Sequence, residues 1–497
     1  MLGEILAFVL YFLGMLGIGF FFMFKKKANT QSDYFLGGRA MGPYVTALSA
    51  QASDMSSWLL MGLPGSILAV GFGEVWIAIG LAIGTYLNWL IVAGRLRKFS
   101  QAAGDSITIP QYLNNRFKAK GKTLQIVAAS IFFVYFTIYV ASLFKGGGKL
   151  FDSVLNINNP MLSMVIFAVI LLAYTFMGGF KAVCWTDLVQ SLLMLVAITF
   201  IPLSFIISGE ADLGTVASSG SLKILSSGKF DWMSIRTILN GLAWGLGYCG
   251  MPHVIIRFMS IKNSKMIKTS RRVASVWVVI TLAMAVMVGL VGISVLPTLM
   301  KNGEHEMVFI LLSRKALPPF LAGICMSAIL AASMSTADSQ LLVASSAVAC
   351  DIYKPIIRKQ ASEKEVLWVG RIVIVVISII AFIIASIPAL GNIMSLVSYA
   401  WAGFGGAFGP VILLSLFWKK FTYKGAVAGM AVGGLTVILW ILFGGVTGIY
   451  ELIPGFALGL IACVVVSLID KKNVGPCEEM YKEALAFDED KASKQQA

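Results

Sequence analysis

In SAQASDMSSWLLMGLPG, residues 49–65, a carboxylate sits among hydroxyls and amides inside a run otherwise apolar enough to enter a bilayer. An Asp at the centre of a membrane helix costs about 2.5–3.5 kcal/mol on insertion scales, so an acid kept there is by default a site. A partly unwound chain at this point would free the carbonyls of Ala52 and Met55. Carbonyls and hydroxyls are hard oxygen donors, suited to an alkali cation rather than a soft metal. The alternative is local: Asp54 caps the following half-helix by accepting N–H bonds from Ser56 or Ser57. A second cluster lies in AASMSTADSQLLVASS, residues 331–346, where Ser335, Thr336, Asp338 and Ser339 crowd one turn. Spacings of three and four put Ser335, Asp338 and Ser339 on one face. Ala332 offers a carbonyl there if its own hydrogen bond loosens. A lone hydroxyl would bond back to a carbonyl one turn earlier; several of them beside a carboxylate weaken that reading.

Asp187, in CWTDLVQS, reads in two ways. It is either an acid near a helix N-terminus, favoured by the dipole, or a ligand on the cytoplasmic side of a cation path. Trp244 and Tyr248 share a helical face ahead of Pro252, and Tyr139 lies in another apolar segment. Such rings line a small cavity with apolar area and a polar tip. The six cysteines show no paired spacing, and His253 and His305 are too few for a His-based centre. Free thiols are expected, with neither a disulfide framework nor a zinc site. KGGGK at 145–149 lacks the P-loop pattern; its glycines suit a close helix contact or a loop. H-E-x-x-H and G-x-S-x-G are both missing, so no enzymatic activity is expected.

These groups need a scaffold, and composition names its solvent. Of the 497 residues 58% are hydrophobic and only 13% charged, about half the share of a soluble domain; mean hydropathy is +0.85. An all-α polytopic membrane protein follows, since a bilayer core of ~30 Å takes ~20 apolar residues per helix. Thirteen spans are predicted: 4–24, 42–72, 74–94, 123–144, 160–178, 187–208, 232–254, 272–297, 317–346, 367–388, 394–418, 425–444 and 449–469. The second and ninth are too long for straight spans and should be tilted, broken or continued past the interface. Lys25, Lys26 and Lys27 after the first, with no A-x-A cleavage site, mark a retained helix rather than a removed signal. The net charge of +15 is not a nucleic-acid signature: 31 of the 39 Lys and Arg fall on one set of alternate loops. The positive-inside bias makes that set cytoplasmic, with the N-terminus outside and the C-terminus inside.

The whole of 1–470 is one membrane domain, followed by a polar cytoplasmic tail, 471–497, that is partly helical or disordered. After the first span, two groups of five, about 42–208 and 232–418, would be inverted relative to each other because five is odd. Each group opens on a helix with a weakening interruption, ASDMSSW in one and GLAWGLGYCGMP in the other. Interruptions at matching positions point to a binding site near the midplane.

Together DYFLGGR (33–39), ALSAQASDMSSWLLMGLPG (47–65), TFMGGFKAVCWTD (175–187), WGLGYCGMPH (244–253), RFMS (257–260) and MSTADSQLL (334–342) resemble the sodium/solute symporter family, most of all its bacterial sodium/proline symporters. The resemblance runs in order from about residue 5 to 470. It implies two inverted five-helix repeats of the leucine-transporter type, in the plasma membrane, and alternating access driven by a sodium gradient. It implies sodium held by the carbonyls of Ala52, Met55 and Ala332 and the hydroxyls of Ser335 and Thr336, with Asp54 in support and Ser56 at the join with the substrate site. Arg39 matches a position needed for transport, and Asp187 an acid important for sodium coupling. Sialic-acid members hold a second sodium between that acid and hydroxyls; here Ser335 and Ser339 fit, and Asp338 stands where those members have serine. Substrate would lie among Tyr139, Trp244, Tyr248 and Pro252. The expected partners are Na+, L-proline and membrane lipid, with no nucleic acid and no obligatory protein partner. Lys145 departs from the apolar residue that proline carriers tend to have, and would reach the outer interface or alter the vestibule. The rival readings are a relative carrying another amino acid, pantothenate, a sugar acid or a monocarboxylate; a sensor or channel; and a membrane enzyme.

Overall fold

Backbone polar groups in hydrocarbon must find partners within their own segment, and the chain meets this with helices. The computed structural model describes residues 2–25, 30–119, 121–175, 179–218, 222–225, 227–299 and 304–489. Lys26, Lys27, residues 176–178 of the TFMGGF motif and the tail from 490 lie outside the described residues. Among the described residues ten helices are long and apolar enough to cross a membrane. The elements that build the site are α1 (Leu2–Lys25), α2 (Pro43–Asp54), α3 (Leu63–Val70), α4 (Val75–Leu87), α5 (Thr123–Leu155), α6 (Pro160–Thr175), α7 (Phe180–Ile207), α8 (Trp232–Gly247), α9 (Pro252–Ser260), α10 (Pro319–Ser346) and α11 (Ile393–Phe417). Three expected spans are not among the ten. Two of them, α2 with α3 and α8 with α9, are broken within the apolar run, and α6 has only 16 residues.

Several boundaries move, each for a physical reason. Helix α5 runs on to Leu155 straight through KGGGK. Its glycines are contact points: a Cβ on Gly146 would stand 2.6 Å from the Ser57 hydroxyl, and one on Gly147 2.4 Å from the Phe167 ring. Helix α7 starts at Phe180, so Asp187 lies well inside it and is not an acid of the first turn. The ninth span continues past α10 through 347–357, as its length required.

The interruption of the seventh span is narrower than its glycines suggested. Gly241 and Gly245 lie within the regular helix α8. Their missing side chains let α8 press its backbone on α4: a Cβ on Gly245 would stand 2.4 Å from the Gly80 carbonyl oxygen. The chain leaves helical geometry at Met251, φ −76° and ψ 104°, and Pro252 then opens α9 with a φ already suited to a helix start.

Beyond the spans, α12 (Val474–Ala486) is a docked helix that buries Cys477, Met480, Tyr481 and Ala484. Buried Arg116 donates to the Cys477 carbonyl at 2.7 Å, and Lys118 pairs with Glu479 and Glu483. The tail is therefore helical over its first half. All six cysteines are free.

The glycine contact yields a test. In Gly84→Val the new Cβ would meet the Gly245 Cα at 2.4 Å, with main chain on both sides and no flexible atom to yield. Overpacking costs about 1–3 kcal/mol even where neighbours can adjust. The variant should melt well below the native protein in detergent, whereas Gly94→Ala, whose Cβ meets nothing within 4 Å, should not.

Candidate functional site

Short polar side chains compete with the main chain for its own hydrogen bonds, and Asp54, Ser56 and Ser57 do so at one point. Met55 N–H still bonds the Gln51 carbonyl at 2.9 Å. Ser56 N–H then turns to the Asp54 carbonyl at 3.0 Å, and Leu59 N–H to that of Ser56 at 3.0 Å. The carbonyls of Ala52 and Met55 thus lose the donors that a continuous helix would supply. Met55, at φ −81° and ψ 83°, is the break itself and is fully buried.

Helix α10 faces this break. Ser335 Oγ lies 2.7 Å from the Ala52 carbonyl, 2.8 Å from that of Ala331 one turn earlier on its own helix and 3.2 Å from that of Ala332; Thr336 Oγ1 lies 3.3 Å from the Ala52 carbonyl. Ala52, Ala332, Ser335 and Thr336 are therefore brought together beside Met55, as four oxygens of the hard, uncharged kind. The C-terminal end of α2, carrying a partial negative charge, points at the same spot.

Asp54 does not cap the following helix. Its Oδ2 accepts from the Tyr248 hydroxyl at 2.6 Å, and its buried Oδ1 has no partner among the described residues. Its main-chain oxygen accepts from Tyr139 and from Trp58 Nε1, both at 3.1 Å. Tyr139 and Tyr248 thus close on the first break from α5 and from the end of α8. Ser56 Oγ takes the Trp58 N–H at 3.4 Å, while Ser57 Oγ is buried without a partner. Pro252 starts α9 on the far side of the second break, and the next residue, His253, stands 6.2 Å from the Tyr139 ring.

Trp244 lies one turn farther out. It stacks on Tyr450 at 5.3 Å, and its carbonyl accepts from Trp401 Nε1 at 2.8 Å. Trp401 meets Tyr248 edge-on at 5.0 Å. Trp244 and Tyr450 border a cavity of about 500 Å³ that also holds Glu74, Arg236 and Glu451. Sequence reasoning missed Trp401 and Tyr450, because an aromatic in an apolar run carries no mark of the ring it will touch.

The expected second cation cluster is divided. Asp187 Oδ2 accepts from Ser49 Oγ at 2.6 Å and from Arg257 Nη2 at 3.2 Å. Ser339 accepts from the same guanidinium. Asp338 instead bonds Thr175 of α6, and Ser335 is turned to Ala52. Arg257 went unassigned although RFMS was noted; its signal was a lone charge within an apolar stretch, which calls for an acid. Arg39 lies in the short segment just before α2. It pairs with Asp105 at 2.7 Å and donates to Ser100 Oγ, the Ser106 carbonyl and the Met259 carbonyl of α9. Lys145 donates to the Gly391 and Ile387 carbonyls at the turn before α11.

The model of the sodium:solute symporter family matches residues 34–433. The chain is 44% identical over 489 residues to the sodium/proline symporter of Escherichia coli, covering 97% of this chain and 96% of that protein. It is 46% identical over 457 residues to the high-affinity proline transporter PutP of Bacillus subtilis, covering 92% and 96%. Among solved structures, a Na+-coupled sialic acid symporter in a substrate-bound outward-open state aligns with a TM-score of 0.77 at 20% identity, over 94% of this chain and 98% of that one. The nucleobase-cation-symport-1 transporter Mhp1 aligns at 0.56 and 13% identity, over 92% and 99%. The fold is shared with both.

The Tyr248 bond can be tested directly. Among the described residues Tyr248 is the one donor to the Asp54 carboxylate, and a hydrogen bond to a charged group contributes about 1.5–3 kcal/mol. Tyr248→Phe should lower the melting point in detergent, and adding Asp54→Asn should lower it little further. Simple additivity of the two losses would show that the groups do not interact.

Proposed function

This chain belongs to the sodium:solute symporter family, and on that footing we propose that it carries L-proline into the cell together with sodium, by alternating access. It is a multi-pass membrane transporter and not an enzyme. The observation that carries the cation site is the convergence of Ser335 and Thr336 on the Ala52 carbonyl that the break in the second span releases. We read the ten long helices, two broken spans and α6 as thirteen spans, N-terminus outside, with inverted repeats each led by a broken helix.

Sodium is a co-transported substrate here, held by Ala52, Met55, Ala332, Ser335 and Thr336. It bridges α2 and α10 and so favours one arrangement of those helices through its differential affinity for the two states. Asp54 supplies negative charge one turn away. The N-terminal end that follows the break, with Ser56 and Ser57, suits a carboxylate. Tyr139, Tyr248 and Trp244 suit a pyrrolidine ring and its ammonium, while Pro252 shapes the far wall. Linkage requires sodium and proline to raise each other's affinity equally, ordinarily by ~1–3 kcal/mol. The membrane potential adds ~2.3 kcal/mol per charge per 100 mV. Arg39 ties the loop before α2 to α9 and so holds the inner side closed.

Uptake into proteoliposomes, across a panel of amino acids and with sodium, lithium or protons as the sole gradient, tests the assignment: proline should accumulate with sodium, and accumulation in choline alone would refute it. Ser335→Ala and Thr336→Ala should each raise the half-saturating sodium about tenfold, or ~1.4 kcal/mol. An unchanged sodium dependence removes that hydroxyl from the site. Trp244→Ala should weaken proline more than sodium; equal losses would make it a packing residue.

A further inference from the structure

We infer that the docked C-terminal segment is a strap: Glu489, just past α12, holds the inner ends of the two broken spans together and so sets how readily the site opens inward. The inference rests on the alternating-access reading above. Those two ends are joined main chain to main chain. Met41 N–H donates to the Ser260 carbonyl at 3.2 Å, and Lys262 N–H to the Met41 carbonyl at 3.0 Å. Arg97, buried on the helix Ala93–Ala102, donates from Nε to the Ile261 carbonyl at 2.6 Å and from Nη2 to the Lys262 carbonyl at 3.1 Å. Glu489 completes the set: its Oε2 accepts from Ser264 N–H at 3.0 Å, and its Oε1 stands 3.8 Å from Arg97 Nη1. The segment 260–264 is thus pinned from the start of α2, from Ala93–Ala102 and from the tail.

The tail reaches this point because α12 is seated on the same helix. Lys98 donates to the Leu485 carbonyl at 2.7 Å, Arg95 to the Tyr481 hydroxyl at 3.3 Å, and Phe99 meets the Tyr481 ring edge-on at 5.4 Å. Charge explains why the strap ends on an acid. Arg39 and Arg97 both serve this junction, and Asp105 is already paired with Arg39 at 2.7 Å. Among the described residues Glu489 is the carboxylate that pairs with Arg97. Both side chains are largely buried, and a buried guanidinium stripped of its acid is costly. Glu489 is therefore a positioning residue, acting through Arg97 and the 260–264 segment. Opening the site inward parts α2 from α9, and the strap adds its bonds to those that must break.

Amide hydrogen exchange on the purified protein, with no solute or gradient, reads this opening at Met41 and Lys262, whose N–H groups bond each other's strands and not Glu489. In Glu489→Gln both amides should exchange about tenfold faster, the scale of one hydrogen bond to a charged group. A chain ended after Ala486, which keeps α12, should do the same and carries the comparison if Glu489→Gln does not fold. Lys482→Gln, which breaks an exposed pair within α12, should exchange as the native protein does. In proteoliposomes Glu489→Gln should raise the external half-saturating proline several-fold without lowering kcat, because fewer molecules present the outward site. Native exchange at Met41 and Lys262 in both altered chains overturns the inference. So does faster exchange spread over α12 as well, or a fall in kcat alone, since either marks a merely structural role. Absence of any sodium-driven proline flux in the native protein would instead overturn the functional reading and leave the exchange result standing.

Discussion

A main chain that leaves its helix inside a membrane exposes N–H and C=O groups that hydrocarbon cannot satisfy. Among the described residues two such breaks, at Met55–Ser57 and at Tyr248–Met251, face each other, and each is answered by the other's neighbours. Tyr248, at the second break, donates to Asp54 at the first. Tyr139 and Trp58 take the Asp54 carbonyl, and Ser335 takes that of Ala52. The backbone contact of α8 on α4 and the reach of Arg39 to the Met259 carbonyl hold the second broken helix where this exchange can occur. The breaks therefore persist because the surrounding helices over-determine them.

The buried carboxylates differ in what neutralises them. Asp187 faces a guanidinium and a hydroxyl, which makes a nearly neutral unit whose disruption would strand a charge. Asp351 rests on Thr108 and Gln125, in the 347–357 segment that continues the ninth span. Asp54 has a single phenol and one oxygen with no protein partner. Of the three it alone sits at a helix end with freed carbonyls beside it. Negative charge short of a partner, next to uncharged hard oxygens, is a setting that suits an alkali cation.

Much of this was legible in the chain because polar residues in an apolar run are conspicuous. Asp54, Ser335 and Thr336 announced themselves by cost, and the structure brings them near one point. Boundaries were read less well where apolar character and helix do not end together: α5 passes through KGGGK, and α7 begins before Asp187. Gly241 and Gly245 looked like interruptions because glycine weakens an isolated helix; whether it instead admits another backbone depends on a partner far away in sequence. The same holds for Asp338, which shares a turn with Ser335 and Ser339 yet meets α6, since each residue of a helix buried on all sides faces a different neighbour. The docked tail was illegible for a simpler reason, as its apolar face is short and its partner Arg116 lies hundreds of residues away.

The two halves of the first broken helix answer to different ends of the molecule. The outer half, α3, lies under residues 305–306, and a Cβ on Gly65 would meet the Glu306 N at 3.1 Å. Glu306 in turn pairs with Lys149 and accepts the first N–H of α11, from Ile393, at 2.9 Å. The inner half, α2, is held through Ser49 to Arg257 and through Ala52 to α10. Between them the chain has lost its regular ladder of helical bonds, so bending there breaks few of them. A cation drawing α2 and α10 together would act on the inner half and leave the outer half with its own cap. Motion would then be concentrated at Met55–Ser57, next to the oxygens proposed to bind sodium. The feature that would create the proposed site would in this way also be the joint about which access to it alternates.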